Sequence, residues 1–202
     1  PTAGAAAAID EVVYANVFEG LTRFGPDGSV RPALATSWDV SADGKTYTFH
    51  LQTGVLFHDG TAFDAEDVKF SLDRARAEDS ANAQKALFAG IDSVDVMDAA
   101  TVKVTLKDAD GNFPFNMAWG DAVIVAPESV ADAATKPVGT GPFKFTEWVQ
   151  GDHVTLDRND SYWGEKVALA KATFRFISDP TAAFAAMMAG DGEALGKLMS
   201  DQ

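Results

Sequence analysis

Alternating apolar and polar side chains predict a β-hairpin around the dipeptide Asp43-Gly44. In residues 46–51, Thr-Tyr-Thr-Phe-His-Leu, every second side chain is large and apolar, so one face of a strand can be buried while the other meets water. Residues 37–40 form a second strand-like run before the dipeptide. An Asp-Gly pair between two such runs is a strong hairpin signal. The pattern therefore predicts two antiparallel strands joined at this turn.

A polar turn and a capped helix are predicted directly after the hairpin. Residues 57–60, Phe-His-Asp-Gly, have the composition of a turn. Asp64 stands at a helix N-cap position, with Asp67 at the third helical position. Acidic side chains at a helix start are stabilised by the helix dipole. We therefore interpret Asp64, Glu66 and Asp67 as structural rather than as catalytic acids.

The rest of the chain alternates between predicted helices and predicted strands. Apolar residues at helical spacing predict helices, and period-two alternation or short apolar runs predict strands. The predicted helices cover residues 3–20, 64–77, 80–90, 112–119 and 181–189, and the predicted strands cover 21–24, 91–97, 101–106, 123–126 and 173–177, with a further strand pair within 138–164. This order predicts an α/β fold of the α+β kind with a mixed sheet.

Composition and charge narrow the class of protein. The 202 residues include 30 acidic and 16 basic side chains, for a net charge of −14. Nucleic-acid binding needs a basic surface, and no apolar run approaches the roughly 20 residues that cross a bilayer. We therefore expect no nucleic-acid partner and no membrane insertion of this chain. It contains no cysteine, which excludes disulfides, and it starts at Pro1 without a leader, so we expect a mature form or an excised piece.

Sequence motifs of catalytic and metal sites are missing. No G-x-S-x-G phrase is present, so a serine nucleophile elbow is not predicted. His50, His58 and His153 form neither H-x-x-x-H nor H-E-x-x-H, and we interpret them as locally hydrogen-bonded or solvated. Residues 139–141, Gly-Thr-Gly, lack the lysine and the helix of a phosphate loop; they either line a cleft or pack backbone on backbone. We expect no catalytic residue, no metal and no cofactor.

Five phrases of the sequence carry a resemblance to a known family. They are S-W-x-x-S-x-D-x-x-x-Y-T-F-x-L at residues 37–51, V-x-F-H-D-G-x-x-F-x-A-x-D-V-x-F-S at 55–71, Y-x-N-V-F-E-G-L at 14–21, G-T-G-P-F-x-F at 139–145 and R-N-x-x-Y-W at 158–163. The pattern is long and ordered, and it resembles the family 5 extracellular solute-binding proteins. These are the periplasmic peptide, nickel and oligopeptide receptors of ABC importers.

The resemblance implies one lobe of a two-lobed fold of the periplasmic-binding-protein type II-like kind. It covers residues 1–191, which we assign to lobe I, with an inner subdomain within 40–170. Whole members of the family are more than twice as long, so we expect the second lobe to be absent from this chain. Residues 192–202 are then a truncation point, a splice or a returning helix, three alternatives that the sequence leaves open.

The resemblance also implies a function in transport. We expect the substrate-binding component of an ABC import system, which captures a small solute, above all a peptide, between two lobes and delivers it to the membrane permease. Such a protein is expected to be a monomer in the periplasm, or outside a Gram-positive cell on a lipid anchor. An enzyme or an isolated interaction domain on the same scaffold is the alternative, because a fold does not fix function.

Ligand-binding candidates follow from position within the family. Four of them precede the predicted strand at 123–126, in a segment that reaches toward the cleft between the lobes in the family. These are Met117, Trp119, Gly120 and Asp121. A tryptophan beside a glycine can stack on a solute while a carboxylate meets a cationic group. The alternative is that Met117 and Trp119 belong to the core. Two further candidates are Tyr14 in the first helix and Thr140 in the Gly-Thr-Gly turn.

Overall fold

The three-dimensional structure, a computed structural model, describes residues 8–190. The helices and strands in chain order are α1 (Ala8–Val17), β1 (Thr22–Phe24), β2 (Val30–Pro32), β3 (Ala35–Val40), β4 (Thr46–Leu51), α2 (Ala65–Arg76), β5 (Ile91–Asp98), β6 (Thr101–Leu106), α3 (Phe113–Asn116), β7 (Phe143–Val149), β8 (His153–Arg158), β9 (Lys171–Arg175) and α4 (Pro180–Met188). Short 3-10 turns lie at Lys85–Phe88, Gly120–Ala122 and Val130–Asp132. The fold is α/β, as predicted, and its described strands form three antiparallel sheets.

The largest sheet has four strands in the order β3-β4-β6-β5. Strands β3 and β4 form the predicted hairpin, with Trp38 opposite Phe49. Gly44 has a φ of +71°, which glycine adopts without a steric penalty, and its N–H donates to the Ser41 carbonyl at 2.9 Å. The hairpin predicted at the Asp-Gly pair is confirmed.

Helix α2 packs against this sheet and closes the main core. The inward-facing residues of β4 and β6 are Tyr47, Phe49, Leu51, Val102, Val104 and Leu106, all of them buried. Helix α2 contributes Val68 and Leu72 to the same cluster. Burying one large apolar side chain stabilises a fold by about 1.5–3 kcal/mol. The α2–sheet core is therefore the main source of stability in the described residues.

Helix α2 begins with a complete capping box. Asp64 accepts a hydrogen bond from the Glu66 N–H at 2.8 Å, and Asp67 accepts one from the Asp64 N–H at 2.9 Å. These bonds satisfy N–H groups that have no partner within the helix. Burial raises the pKa of Asp67 to about 6. The predicted structural role is confirmed for Asp64 and Asp67.

A second layer is the three-stranded sheet β7-β8-β9. Helix α1 packs on β7, and a second apolar cluster joins Val17 and Phe18 to Phe143 and Leu156. The two-stranded ribbon β1-β2 leads from α1 into β3. The end of α1, the ribbon and the start of β7 therefore meet in one region of the molecule.

The helix predicted at residues 80–90 is only the 3-10 turn Lys85–Phe88. The Ser80 hydroxyl accepts the Asn82 N–H at 3.2 Å, and the Asn82 side chain accepts the Gln84 N–H at 2.8 Å. Such local side-chain bonds compete with helical hydrogen bonds. This prediction was wrong in extent for that reason.

The strand predicted at residues 123–126 is buried but is not part of a sheet. Its only bridge in the described chain joins Gly20 to Val123. The Val125 N–H donates instead to the Ser71 hydroxyl at 2.9 Å, so α2 replaces a neighbouring strand.

The remaining differences concern element ends. The helix predicted at 112–119 is the shorter α3, and the strand predicted at 173–177 is β9, displaced toward the N-terminus. The predictions for residues 192–202 lie outside the described residues, as does the start of the first helix. Among residues 8–190, no helix combines the length and the hydropathy that a membrane span requires.

Candidate ligand-binding site

A cavity of about 450 Å³ opens beside the end of α1 and the β1-β2 ribbon. This volume falls within the range of about 300–1,000 Å³ found for small-molecule sites. The lining comes from α1, from β1, from the segment after α3 and from the turns at residues 142 and 162. The side chains that define its chemistry are Tyr14, Glu19, Arg23, Phe24, Trp119 and Tyr162.

Phe24 and Trp119 form an aromatic wall of the cavity. Their rings meet edge to face, with centroids 6.1 Å apart and planes at 90°. Phe115 supports both rings, at 4.9 Å from Phe24 and 6.3 Å from Trp119. Trp119 nevertheless keeps 42% of its surface exposed. The wall is thus fixed by ring–ring contacts and still presents an indole face on which a solute could stack.

A close approach between Gly120 and Tyr14 fixes the position of Trp119. A Cβ at Gly120 would lie 2.7 Å from the Tyr14 ring, so a larger residue there would force the two segments apart. The Tyr14 hydroxyl also donates to Asp121 Oδ1 at 3.5 Å. Helix α1 and the segment after α3 are therefore in contact at Gly120 and at Asp121.

Glu19 lies at the base of the cavity, and its carboxylate accepts three hydrogen bonds. The Tyr162 hydroxyl donates to Oε1 at 2.7 Å, while the Thr140 hydroxyl and the Trp163 indole N–H each donate to Oε2 at 2.8 Å. Burial raises the pKa of Glu19, and the three donors oppose that shift. Burial and the nearby Glu19 charge raise the pKa of Tyr162 as well, so the phenol keeps its proton and continues to donate. Glu19 therefore ties three distant segments together.

The Gly139-Thr140-Gly141 turn packs on the end of α1. A Cβ at Gly139 would lie 2.0 Å from the Val17 carbonyl oxygen, and the Gly141 N–H donates to the same oxygen at 3.0 Å. Glycine is required here because no side chain fits between the two backbones. Of the two interpretations of this turn, backbone-on-backbone packing is the observed one.

His58 forms hydrogen bonds with the same Gly139-Thr140-Gly141 turn. Its Nε2 lies 2.9 Å from the Gly141 carbonyl oxygen, and its Nδ1 accepts the Gly139 N–H at 3.3 Å. Burial lowers the pKa of His58 to about 4, so the ring is neutral near pH 7 with Nε2 as the donor. The ring is hydrogen-bonded, as predicted, but its partners are 83 and 81 residues away rather than local.

Four of the six predicted binding residues lie at the cavity. Tyr14, Trp119 and Gly120 line it, and Asp121 is bonded to Tyr14. The structure thus brings together residues that are more than a hundred positions apart. Ligand contact by these four residues stays a prediction.

The other two predicted residues, Met117 and Thr140, are both fully buried, and neither lines the cavity. The Met117 N–H bonds to the Phe113 carbonyl, and both side chains belong to the main core because positions four apart lie on the same helix face. The Thr140 hydroxyl donates to Glu19 Oε2 at 2.8 Å. Ligand contact by these two residues also stays a prediction.

Four cavity residues were not singled out from the sequence: Glu19, Arg23, Phe24 and Tyr162. Glu19 and Tyr162 stand within two of the family phrases, but their contact spans 143 positions and follows no local rule. Arg23 and Phe24 are neighbours in a short predicted strand that carried no motif.

Metal coordination is not a feature of the described residues. Within 8–190, no group of three or more histidine and acidic side chains is arranged to hold a metal ion. His50 pairs with Asp39 at 2.9 Å, and His153 pairs with Asp152 at 2.6 Å. What the cavity offers is aromatic surface, a guanidinium group and fixed backbone, the chemistry of a binding site.

The chain is similar in sequence to bacterial solute-binding proteins. A sequence model of the bacterial extracellular solute-binding proteins, family 5 Middle, matches residues 29–198. The glutathione-binding protein GsiB of Pectobacterium atrosepticum is 36% identical over 192 residues, which are 92% of this chain and 37% of that protein. The nickel-binding periplasmic protein of Escherichia coli is 35% identical over 185 residues, or 89% of this chain and 35% of that protein.

A solved structure shares the fold. The oligopeptide-binding protein AppA of Bacillus subtilis, in complex with a nonapeptide, superposes with a TM-score of 0.86 at 29% identity. The match covers 94% of this chain and 40% of AppA. This chain therefore spans little more than a third of the length of the curated relatives that it matches.

Proposed function

Because the chain belongs to the bacterial extracellular solute-binding proteins of family 5, we propose that it is part of the substrate-binding component of an ABC import system. In this role it captures a small solute between two lobes and delivers it to a membrane permease. The described residues are one wall of the solute site, in lobe I. The other wall belongs to a second lobe.

The observation that carries the proposal is the aromatic cavity at the end of α1. The Trp119 indole is 42% exposed although ring contacts with Phe24 and Phe115 hold it in place. Concave sites with aromatic walls and a few fixed polar groups are typical of small-molecule binding.

We propose a peptide as the solute. GsiB is named for glutathione, which is itself a tripeptide, and AppA holds a nonapeptide. The nickel-binding relative is the basis of a second candidate, a metal complex. Aromatic stacking and a guanidinium group suit either a peptide or an organic chelate.

The mechanism follows from having the site divided between two lobes. A solute that contacts both lobes favours the closed arrangement by its differential affinity for that state. One lobe alone makes only part of these contacts. The 202-residue chain should therefore bind the solute much more weakly than the two-lobed protein does.

Location and partners are proposed on the same basis. The protein acts as a monomer in the periplasm, or outside the cell on a lipid anchor, and its partner is the permease of the importer. It carries out no catalysis. An enzyme or an interaction domain on this scaffold would be the other class, and the fate of the solute distinguishes the two.

The experiment is native mass spectrometry of the two-lobed protein that contains this sequence, followed by calorimetry with the solute that copurifies. Binding of an unchanged peptide supports the receptor, and conversion of the peptide to products supports an enzyme. Trp119→Ala should weaken binding at least tenfold, given the loss of a stacking face. The matched control is Trp148→Ala, because Trp148 is 48% exposed but lies in β7 away from the cavity. Equal affinity of both variants and the parent would exclude this cavity as the site.

A further inference from the structure

Building on the proposed function, we infer that Arg23 anchors a carboxylate group of the solute in the aromatic cavity. The ligand class is then an organic acid, such as a peptide with a free C-terminus. Arg23 would be a specificity-determining residue of this site.

Arg23 is a cation without a partner in the cavity lining. It lies on β1, is exposed to solvent and lines the cavity beside Phe24 and Trp119. Within the part of the chain whose side chains the structure describes, no carboxylate comes within 4.0 Å of its guanidinium. An uncompensated guanidinium stands out in a protein of net charge −14.

The acidic group of this cavity cannot serve as that partner. Glu19 is close enough to interact electrostatically with Arg23, but its two oxygens already accept bonds from Thr140, Tyr162 and Trp163. Turning the carboxylate toward Arg23 would leave buried donors unsatisfied, at a cost of about 1–3 kcal/mol each. The guanidinium therefore keeps its donors available to a solute.

A second arginine, on the neighbouring strand β2, differs from Arg23 because its charge is paired. Arg31 lies directly across from Arg23 in the β1-β2 ribbon, so the two side chains share a face. Arg31 is neutralised within its own turn, because it bonds Asp27 at 3.2 Å and Ser29 at 3.1 Å. Of this pair of arginines, only Arg23 lacks an ion pair with the carboxylates of the described side chains. Its charge acts on Glu19 and Tyr162, which both line the cavity.

The geometry of a guanidinium suits a carboxylate. Its planar donors can form two parallel hydrogen bonds with the two carboxylate oxygens. The aromatic wall of Phe24 and Trp119 next to it would exclude water on one side, which strengthens the ion pair. A solute with an acid group and a neighbouring apolar side chain would satisfy both features at once.

The test uses the two-lobed protein that contains this sequence and two small probes, N-acetyl-L-phenylalanine and its uncharged amide. Titrations followed by two-dimensional NMR report the Trp119 indole N–H and the Arg23 side chain. The acid should bind about tenfold more tightly than the amide, the ratio expected for one charge-assisted hydrogen bond or more. Arg23→Gln should remove that preference, and Arg23→Lys should keep only part of it. The matched control, Arg31→Gln, should retain the full preference.

Three results would overturn the inference: equal affinity for acid and amide, an unchanged preference in Arg23→Gln, or no shift at Trp119 with either probe. Melting curves of the variants confirm that each is folded, and the lysine variant keeps the test valid if the glutamine variant is not. A different result would contradict the proposed function: no solute copurifies with the two-lobed protein or binds to it. If the two-lobed protein captures a solute but binds acid and amide equally, the proposed function stands and Arg23 is not a carboxylate anchor.

Discussion

The α2–sheet core and the cavity region are held together by different forces. The core, formed by α2 and the four-stranded sheet, is mainly apolar, and its buried polar groups include the capping box and the Ser71 hydroxyl, which bonds to Val125. The region around the cavity depends on part-buried polar bonds between distant segments, such as those of Glu19 to residues 121, 143 and 144 positions away. The two regions therefore have different roles. The core supplies most of the stability, and the cavity region supplies geometry and charge for a solute.

The largest expected effect is a loss of stability in the α2–sheet core. Phe49 is fully buried, so Phe49→Ala should lower the free energy of unfolding by about 3–5 kcal/mol. Phe115→Ala removes a 41% exposed ring beside the cavity and should cost about 1 kcal/mol or less. Urea unfolding followed by circular dichroism measures both. Equal losses of unfolding free energy would contradict the statement that the α2–sheet core supplies most of the stability.

A pH-dependent effect is expected next, from His58. Its pKa of about 4 in the folded protein lies below the value of about 6.5 for an unfolded histidine. The unfolded chain therefore binds more protons between these values, and the His58 contribution to stability is lost as the pH falls from about 6.5 to 4. At about 1.4 kcal/mol per pKa unit, this loss amounts to about 3 kcal/mol.

The measurement compares the parent with His58→Gln across that range. Asp67 and Glu19 have raised pKa values and act in the opposite sense, so only the difference between the two proteins isolates His58. The destabilisation of the variant should be largest above pH 6.5 and should shrink toward pH 4. A difference that does not vary with pH would show that His58 is not held neutral by the Gly-Thr-Gly turn.

A smaller loss is expected at the base of the cavity. Glu19→Gln leaves a single carbonyl oxygen for three donors, and the unsatisfied donors should cost about 2 kcal/mol. The control is Glu147→Gln, because the Glu147 side chain is 59% exposed. Thermal unfolding of both variants gives the comparison. If Glu19→Gln is as stable as the control, the polar bonds do not hold the cavity region together.

The smallest effect is expected at the helix cap. Asp64→Ala should lower the free energy of unfolding by about 1 kcal/mol through loss of the cap, without changing the affinity for N-acetyl-L-phenylalanine. Unfolding and probe titration of the same variant test both statements. A matching loss of affinity would mean that α2 also shapes the cavity.

The two regions also differ in how far they could be predicted from the sequence. The hairpin at Asp43-Gly44 and the cap at Asp64 depend on neighbours within three to five positions, so local pattern was sufficient. For Trp119, the family resemblance suggested a cleft position, while the sequence left open that it belongs to the core.

The cavity could not be predicted in full because its contacts are long-range. Met117 and Trp119 are two residues apart, with the same apolar character, yet one is buried and the other is exposed. Only the packing of α3 decides between them. Glu19 meets its three partners through the folding of α1 against β7, which no spacing in the sequence reveals.

The most direct test of the account is a crystal structure of the two-lobed protein with the solute that copurifies with it. We predict an ordered solute within van der Waals contact of Trp119 and Tyr14, with an acid group at the Arg23 guanidinium. A solute bound elsewhere, with the Trp119 indole covered by protein, would contradict the assignment of this cavity as the binding site.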